Sequence, residues 1–249
     1  MCSPHQIADE TFVVHHSVST HPVASMVVRG AEPLVIGAGM PAAGDVADDI
    51  FGLLPAPAVR WIFVSHARRV HAGNLLGLLA NCADAKVVTS WLTVQRLACA
   101  GLFVPAGRLH LVDDGDVFDA GDRAYLVERP PLHSEPDSLG LLDSVTGVAW
   151  TAECFSAILD RRTVLLDDAD LGPWHAAFVR YHHLTCPWVH AVDASWWQRT
   201  VDRMASRQAA ALVPLHGPSL LGDHVREGIE ALRELPALSP VRSGAASSP

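Results

Sequence analysis

Short runs of apolar and β-branched residues alternate along this chain with turns rich in Gly, Pro and Asp, and stretches of helical spacing lie between them. Thr11 to Val18, Ser25 to Arg29 and Pro33 to Ile36 read as antiparallel strands. Residues 45–54 have the spacing of a helix, which Pro55-Ala56-Pro57 stops. Trp61 to Val64 then reads as a buried strand, Leu75 to about Asn81 as a helix, Ala85 to Thr89 as a strand and Trp91 to about Ala100 as a helix. The second half repeats this grammar, with strands at 109–112, 124–128, 138–142 and 147–150. Helical stretches follow around Pro173 to Tyr181 and Asp193 to Ala210, then a strand at 211–214 and a last helix from about Ser219 to Leu235. Two successive halves of strands followed by helices predict two mixed sheets packed face to face, with helices outside.

Composition narrows the possibilities. The chain has 249 residues, about half of them apolar, enough for one well-packed domain, which we place at 1–242. The tail 243–249 has nothing to bury and reads as disordered. A formal charge of -9 argues against a nucleic-acid or anionic-membrane surface. Neither a signal peptide nor a membrane-length apolar run is present, and five cysteines (Cys2, Cys82, Cys99, Cys154, Cys186) lack any CxxC spacing, so the expectation is a soluble cytoplasmic protein with reduced thiols. The acidic clusters Asp113-Asp114-Gly115-Asp116 and Asp167-Asp168-Ala169-Asp170 read as solvated turns. The adjacent pairs His15-His16 and His182-His183 read as packed or half-exposed residues, not ligands.

The chemistry concentrates where the strand at 61–64 ends. A loop at a strand exit is a usual place for functional side chains, and here it reads Ser65-His66-Ala67-Arg68-Arg69-Val70-His71-Ala72-Gly73-Asn74. Pro131-Leu132-His133-Ser134, then Asp137-Ser138-Leu139, Trp150-Thr151-Ala152-Glu153-Cys154-Phe155 and Val213-Pro214-Leu215-His216-Gly217-Pro218 follow in order. This series resembles the HxHxDH loop and later ligand loops of the metallo-β-lactamase superfamily. From roughly Thr11 to Leu235 it is most similar to the oxygen-binding diiron domain of flavodiiron proteins. The resemblance implies an α/β (α+β) fold, a four-layer αββα sandwich whose ligand loops gather at one edge. It also implies that His66, position 68 and His133 would hold a first metal, position 70, His71 and His216 a second, and Glu153 would bridge them.

Two of those positions cannot ligate a metal. Arg68 has no lone pair to give and Val70 has no donor atom. One carboxylate is too little charge to hold two divalent ions side by side. The expectation is therefore at most one ion, iron or zinc, held by His71, His216 and Glu153 or by His66, His133 and Glu153. Arg68 is expected either to replace a metal ion by pairing bidentately with Glu153, or to bind an anionic substrate. Where the family has an Asp-Thr-Gly turn this chain reads Gly37-Ala38-Gly39, so a carboxylate supporting the metal loop is expected to be missing. Three functions remain open: oxygen or nitric-oxide redox chemistry, hydrolysis by metal-bound water, and a metal-free sensor or binding module for a small-molecule ligand. The sequence has no flavodoxin module, so no flavin is expected and a redox role would need an external electron donor; the diiron branch suggests a homodimer.

Overall fold

The computed structural model describes residues 4–18, 21–40, 46–159 and 163–238. The start of the predicted helix at Asp45, Cys2 and the tail 243–249 lie outside the described residues. Among those described, strands β1 (His5–Ala8), β2 (Thr11–Val18), β3 (His21–Val28), β4 (Leu34–Ile36), β5 (Trp61–Phe63), β6 (Lys86–Thr89) and β7 (Leu109–Leu111) form one sheet in that order. It is antiparallel from β1 to β4 and parallel from β4 to β7. The second sheet comprises β8 (Val117–Ala120), β9 (Arg123–Glu128), β10 (Gly140–Asp143), β11 (Val148–Trp150), β12 (Ala211–Val213) and β13 (Leu220–Leu221), ordered β13-β12-β11-β10-β9-β8. Within it, β11 and β12 run parallel.

Alternate residues of a strand point to opposite faces, and the central strands fill two cores at once. In β4, Leu34 and Ile36 join the core between the sheets, while Val35 joins the core beneath the outer helices. Phe63 and Ile62 divide in the same way, as do Val88 and Val87. Strands buried on both faces therefore read as continuous apolar runs instead of alternating ones. The outer core of the first sheet is completed by α1 (Val46–Phe51), α3 (Leu75–Asn81) and α4 (Trp91–Cys99), through Ile50, Leu78 and Leu97. On the second sheet, Ala149 and Leu212 face Phe178 of α5 (Leu171–Thr185), Trp197 of α6 (Ala194–Ala205) and Leu232 of α7 (Asp223–Glu234). Each fully buried large aliphatic or aromatic side chain contributes roughly 1.5–3 kcal/mol, so the three cores define a helix, sheet, sheet, helix order. The expected four-layer α/β sandwich is the observed one.

Differences from the sequence reading have local causes. The strands β1, β8 and β13 and the single turn α2 (Arg69–Ala72) are too short to show a period. The last helix begins at Asp223 because the residues before it pair with β12 as Leu212↔Leu220 and Ala211↔Leu221. Helix α6 stops at Ala205, where Arg207 and Gln208 turn back by hydrogen bonds to Met204 and Ala205. Asp113 to Asp116 form an exposed turn as expected, but Asp170 is buried and accepts from Thr163 Oγ1 at 3.3 Å. No helix among the described residues is long and apolar enough to cross a membrane.

Candidate metal centre

The parallel strands β4, β5 and β6 end at the same edge, and β11 and β12 of the facing sheet end there too. The β5 exit carries Ser65, His66 and Arg68 into α2, which carries His71. The β11 exit carries Glu153, and the β12 exit carries His216. Cross-sheet hydrogen bonds lock the edge: Trp150 Nε1 donates to Ser65 Oγ at 2.8 Å and the Leu139 amide to Ser65 O at 3.0 Å. The Ala38 amide donates to His71 O at 2.7 Å, so the Gly37-Ala38-Gly39 turn holds the α2 segment by its backbone.

Glu153 sits in a constrained turn. Ala152 has φ 51° and Phe155 has φ 68°, a left-handed conformation that non-glycine residues adopt only when surrounded by compensating contacts. Those contacts are present, since the Leu215 amide donates to Ala152 O at 2.7 Å and the Ala157 amide to His216 O at 3.1 Å. The β12 exit thus clamps the turn that aims Glu153.

His66, His71 and Glu153 are all buried, and one donor atom from each lies within 4.8 Å of the other two. His66 Nε2 is 2.8 and 2.9 Å from the two carboxylate oxygens, and His71 Nε2 is 3.6 Å from Oε1. Burial opposes ionisation of Glu153, but the hydrogen bond and charge of His66, helped by His71, outweigh it and hold the carboxyl well below the usual range. Burial, with His66 nearby, lowers the His71 pKa to about 4, so its imidazole is neutral at neutral pH. Neither of its ring nitrogens has a hydrogen-bond partner. A buried, unsatisfied, neutral imidazole beside an ionised carboxylate suits one divalent cation, which takes lone pairs from exactly such donors.

The gathered trio differs from both expected ones, because it takes one histidine from each expected half. His133 and His216, half-buried, stand outside it, and their Nδ1 atoms face the carbonyls of Pro130 at 3.1 Å and Pro22 at 3.0 Å. Both remain electrostatically within range, His133 of Glu153 and His216 of His71. Burial lowers the His133 pKa. The expected bidentate pair of Arg68 with Glu153 does not form, since Nη1 is 4.0 Å from Oε1 while His66 occupies both oxygens. Gly37-Ala38-Gly39 brings no carboxylate, as its sequence requires, but one supports the loop from elsewhere. Buried Asp137, from the connection between β9 and β10, accepts from the Ala67 amide at 3.0 Å and from Thr93 Oγ1 at 3.1 Å.

Other neighbours carried no sequence signal. Arg96 of α4 bonds Glu135 and lies 3.4 Å from Asp137 Oδ1. Tyr181, on α5, packs beside His216 with ring centroids 5.8 Å apart; burial, then the charge of Glu153, raise its pKa. Helical spacing placed Tyr181 on a helix but gave no reason to aim it at the site.

No protein-family model matches the sequence, and no curated protein matches it. Solved structures do match. Rubredoxin oxygen:oxidoreductase from the anaerobe Desulfovibrio gigas superposes with a TM-score of 0.83 at 16% identity, over 96% of this chain and 63% of that one. The flavodiiron protein from Giardia intestinalis gives 0.80 at 16% identity, over 95% and 60%. A chemotaxis sensor, ODP, determined as a peroxy diiron species, gives 0.69 at 16% identity, over 92% and 94%. The chain thus spans about three fifths of the length of the first two and nearly all of the third. With two sheets and their outer helices matched over almost its whole length, this chain has the metallo-β-lactamase-like fold of the flavodiiron core.

Proposed function

We propose that this protein binds a single transition-metal ion, iron or zinc, through His66, His71 and Glu153, and serves oxygen or nitric-oxide chemistry in its iron form. The observation that carries the reading is the buried two-imidazole, one-carboxylate group with an unsatisfied neutral His71. Such a set suits non-haem iron with positions left open for a small ligand, and zinc as a Lewis acid. The chain's own groups act around it. Glu153 brings the trio's one carboxylate, and its charge is balanced by one ion, not two. His133 and His216 flank the trio without joining it, each held by Nδ1 against a carbonyl. Tyr181 closes the α5 side, and Arg68 replaces a donor at the mouth. In a redox role the electrons come from an outside donor.

A second reading has its own observation. The two short contacts of His66 with Glu153 satisfy the carboxylate by hydrogen bonding without an ion, which suits a metal-free sensor or binding module. Metal analysis of protein purified without chelator separates the two. About one equivalent of iron or zinc, with proton release when the apo-protein is titrated, supports the first reading; under about a tenth of an equivalent, with no proton release on titration, supports the second.

A further inference from the structure

Arg68 stands at the mouth of the trio with its side chain about half exposed. Two acids lie near it, both beyond hydrogen-bond length: Glu135 Oε1 is 3.8 Å from Nε, and Glu153 Oε1 is 4.0 Å from Nη1. Each acid already has a closer partner, Arg96 for Glu135 and His66 for Glu153. Asp137 Oδ2 is likewise occupied by the Ala67 amide and Thr93, and Arg96 Nε lies 3.4 Å from its Oδ1. The Arg68 guanidinium is therefore a fork of donors beside the site whose two ion-pair contacts are too long to use them.

Charge decides what such a fork can take. Glu135, Asp137 and Glu153 against Arg68 and Arg96 leave one net negative charge before any proton on the imidazoles is counted, so without an ion the group offers an anion no net attraction. One divalent ion in the trio turns the balance to one net positive charge, and the attraction is strongest on the side of the buried trio, where water screens it least. A guanidinium edge matches two oxygens in a plane. Arg96 is committed to Glu135 and Asp137, so only one fork is on offer, too few donors for a phosphate dianion.

We propose that the mouth of this site binds a small planar oxyanion between Arg68 and the metal ion, the chemistry shared by an organic carboxylate and nitrite. The inference rests on the one-ion reading above and assigns Arg68 as its anion-binding residue. Calorimetric titration of protein loaded with one equivalent of zinc tests it, using sodium acetate, sodium nitrite and sodium phosphate against wild type, Arg68→Gln and Arg68→Lys. Acetate or nitrite is expected to bind the loaded wild type and not the apo-protein. Binding should weaken at least about tenfold in Arg68→Gln, the scale of a lost charged hydrogen bond, with zinc content unchanged, and by less in Arg68→Lys. Tighter acetate binding identifies an organic carboxylate as the source, and tighter nitrite binding the inorganic anion. Zinc retained with anion binding that is absent or insensitive to Arg68, or stronger for phosphate, overturns the proposal alone. A wild type that takes up no zinc overturns the one-ion reading and this proposal with it.

Discussion

Glu153 sets both of its carboxylate oxygens against a single nitrogen of His66, at 2.8 and 2.9 Å, although the two residues are 87 positions apart in the chain. One comes from the first sheet and the other from the second, so the contact joins the halves of the sandwich at its functional edge. A buried carboxylate is tolerated only when paired, and here the pairing group is also a candidate ligand.

Glu153→Gln tests that coupling. The amide keeps the shape but loses the charge, and buried His66 loses its charged hydrogen-bond partner. Breaking a buried pair from one side costs about 3–5 kcal/mol. The apo-protein should lose stability on that scale in denaturant titration, and bound iron or zinc should fall below about a tenth of an equivalent. Wild-type metal content in the variant would exclude Glu153 from the ligand set.

Asp137 supports the metal loop without reaching the trio. It receives the Ala67 amide at 3.0 Å, next to His66, and ties the loop to Thr93 on α4. Asp137→Ala should weaken metal binding roughly 10- to 100-fold, the usual effect of removing a group that orients ligands. The stoichiometry at saturating metal should stay the same, and competition titration with a chelator reads both quantities.

Much of the fold was legible because its central strands are buried on both faces and read as unbroken apolar runs. The elements that escaped are those whose cause is not local: β13 exists because β12 offers it a partner, and α2 is a single turn pinned by Ala38, with the Asn74 amide just after it bonded to Gly39 O. At the site, His66, His71 and Glu153 were visible as residues at strand exits, but their grouping was not. Which imidazoles meet depends on turn geometry, including the left-handed Ala152 and Phe155, and no periodicity encodes that. Asp137 was visible only as part of a resemblance, since its partners lie on two other elements.

Buried neutral histidines predict a direction for acid sensitivity. His71 has a pKa near 4, and His182, wholly buried with no hydrogen bond to either ring nitrogen, has one near 3, both lowered by burial from an ordinary 6.5. A depressed folded pKa means that the unfolded chain binds more protons between that value and about 6.5, so stability is lost as pH falls through this window. Across its own window His71 contributes on the order of 3 kcal/mol and His182 on the order of 5 kcal/mol. Glu153 adds a loss at still lower pH, because its carboxylate is held below the usual range. Denaturant midpoints measured from pH 7.5 down to 4 should decline steadily, and His182→Leu should make the decline shallower. A flat wild-type profile would show that these imidazoles are not buried as described.

Gly217 gives a sharper test of how His216 is placed. Its φ of 89° already disfavours any side chain, and a Cβ there would lie 2.1 Å from the Ala157 carbonyl oxygen, closer than atoms can approach. The amide of the same residue, Ala157, donates to His216 O, and Gly217 O faces His15 Nε2 at 3.2 Å. Gly101 supplies the control: its φ is 78°, with nothing within 4 Å of the added carbon. Gly101→Ala should lose only the backbone term, about 1 kcal/mol or slightly more. Gly217→Ala carries that term and the collision, which must move either the His216 loop or the turn after Glu153. At roughly 2–4 °C per kcal/mol for a chain of this size, Gly101→Ala should lower the melting temperature by a few degrees and Gly217→Ala by clearly more. Metal affinity should fall in Gly217→Ala and stay unchanged in Gly101→Ala. Equal melting temperatures for the two variants would mean that the His216 loop yields freely, and that it does not clamp the Glu153 turn.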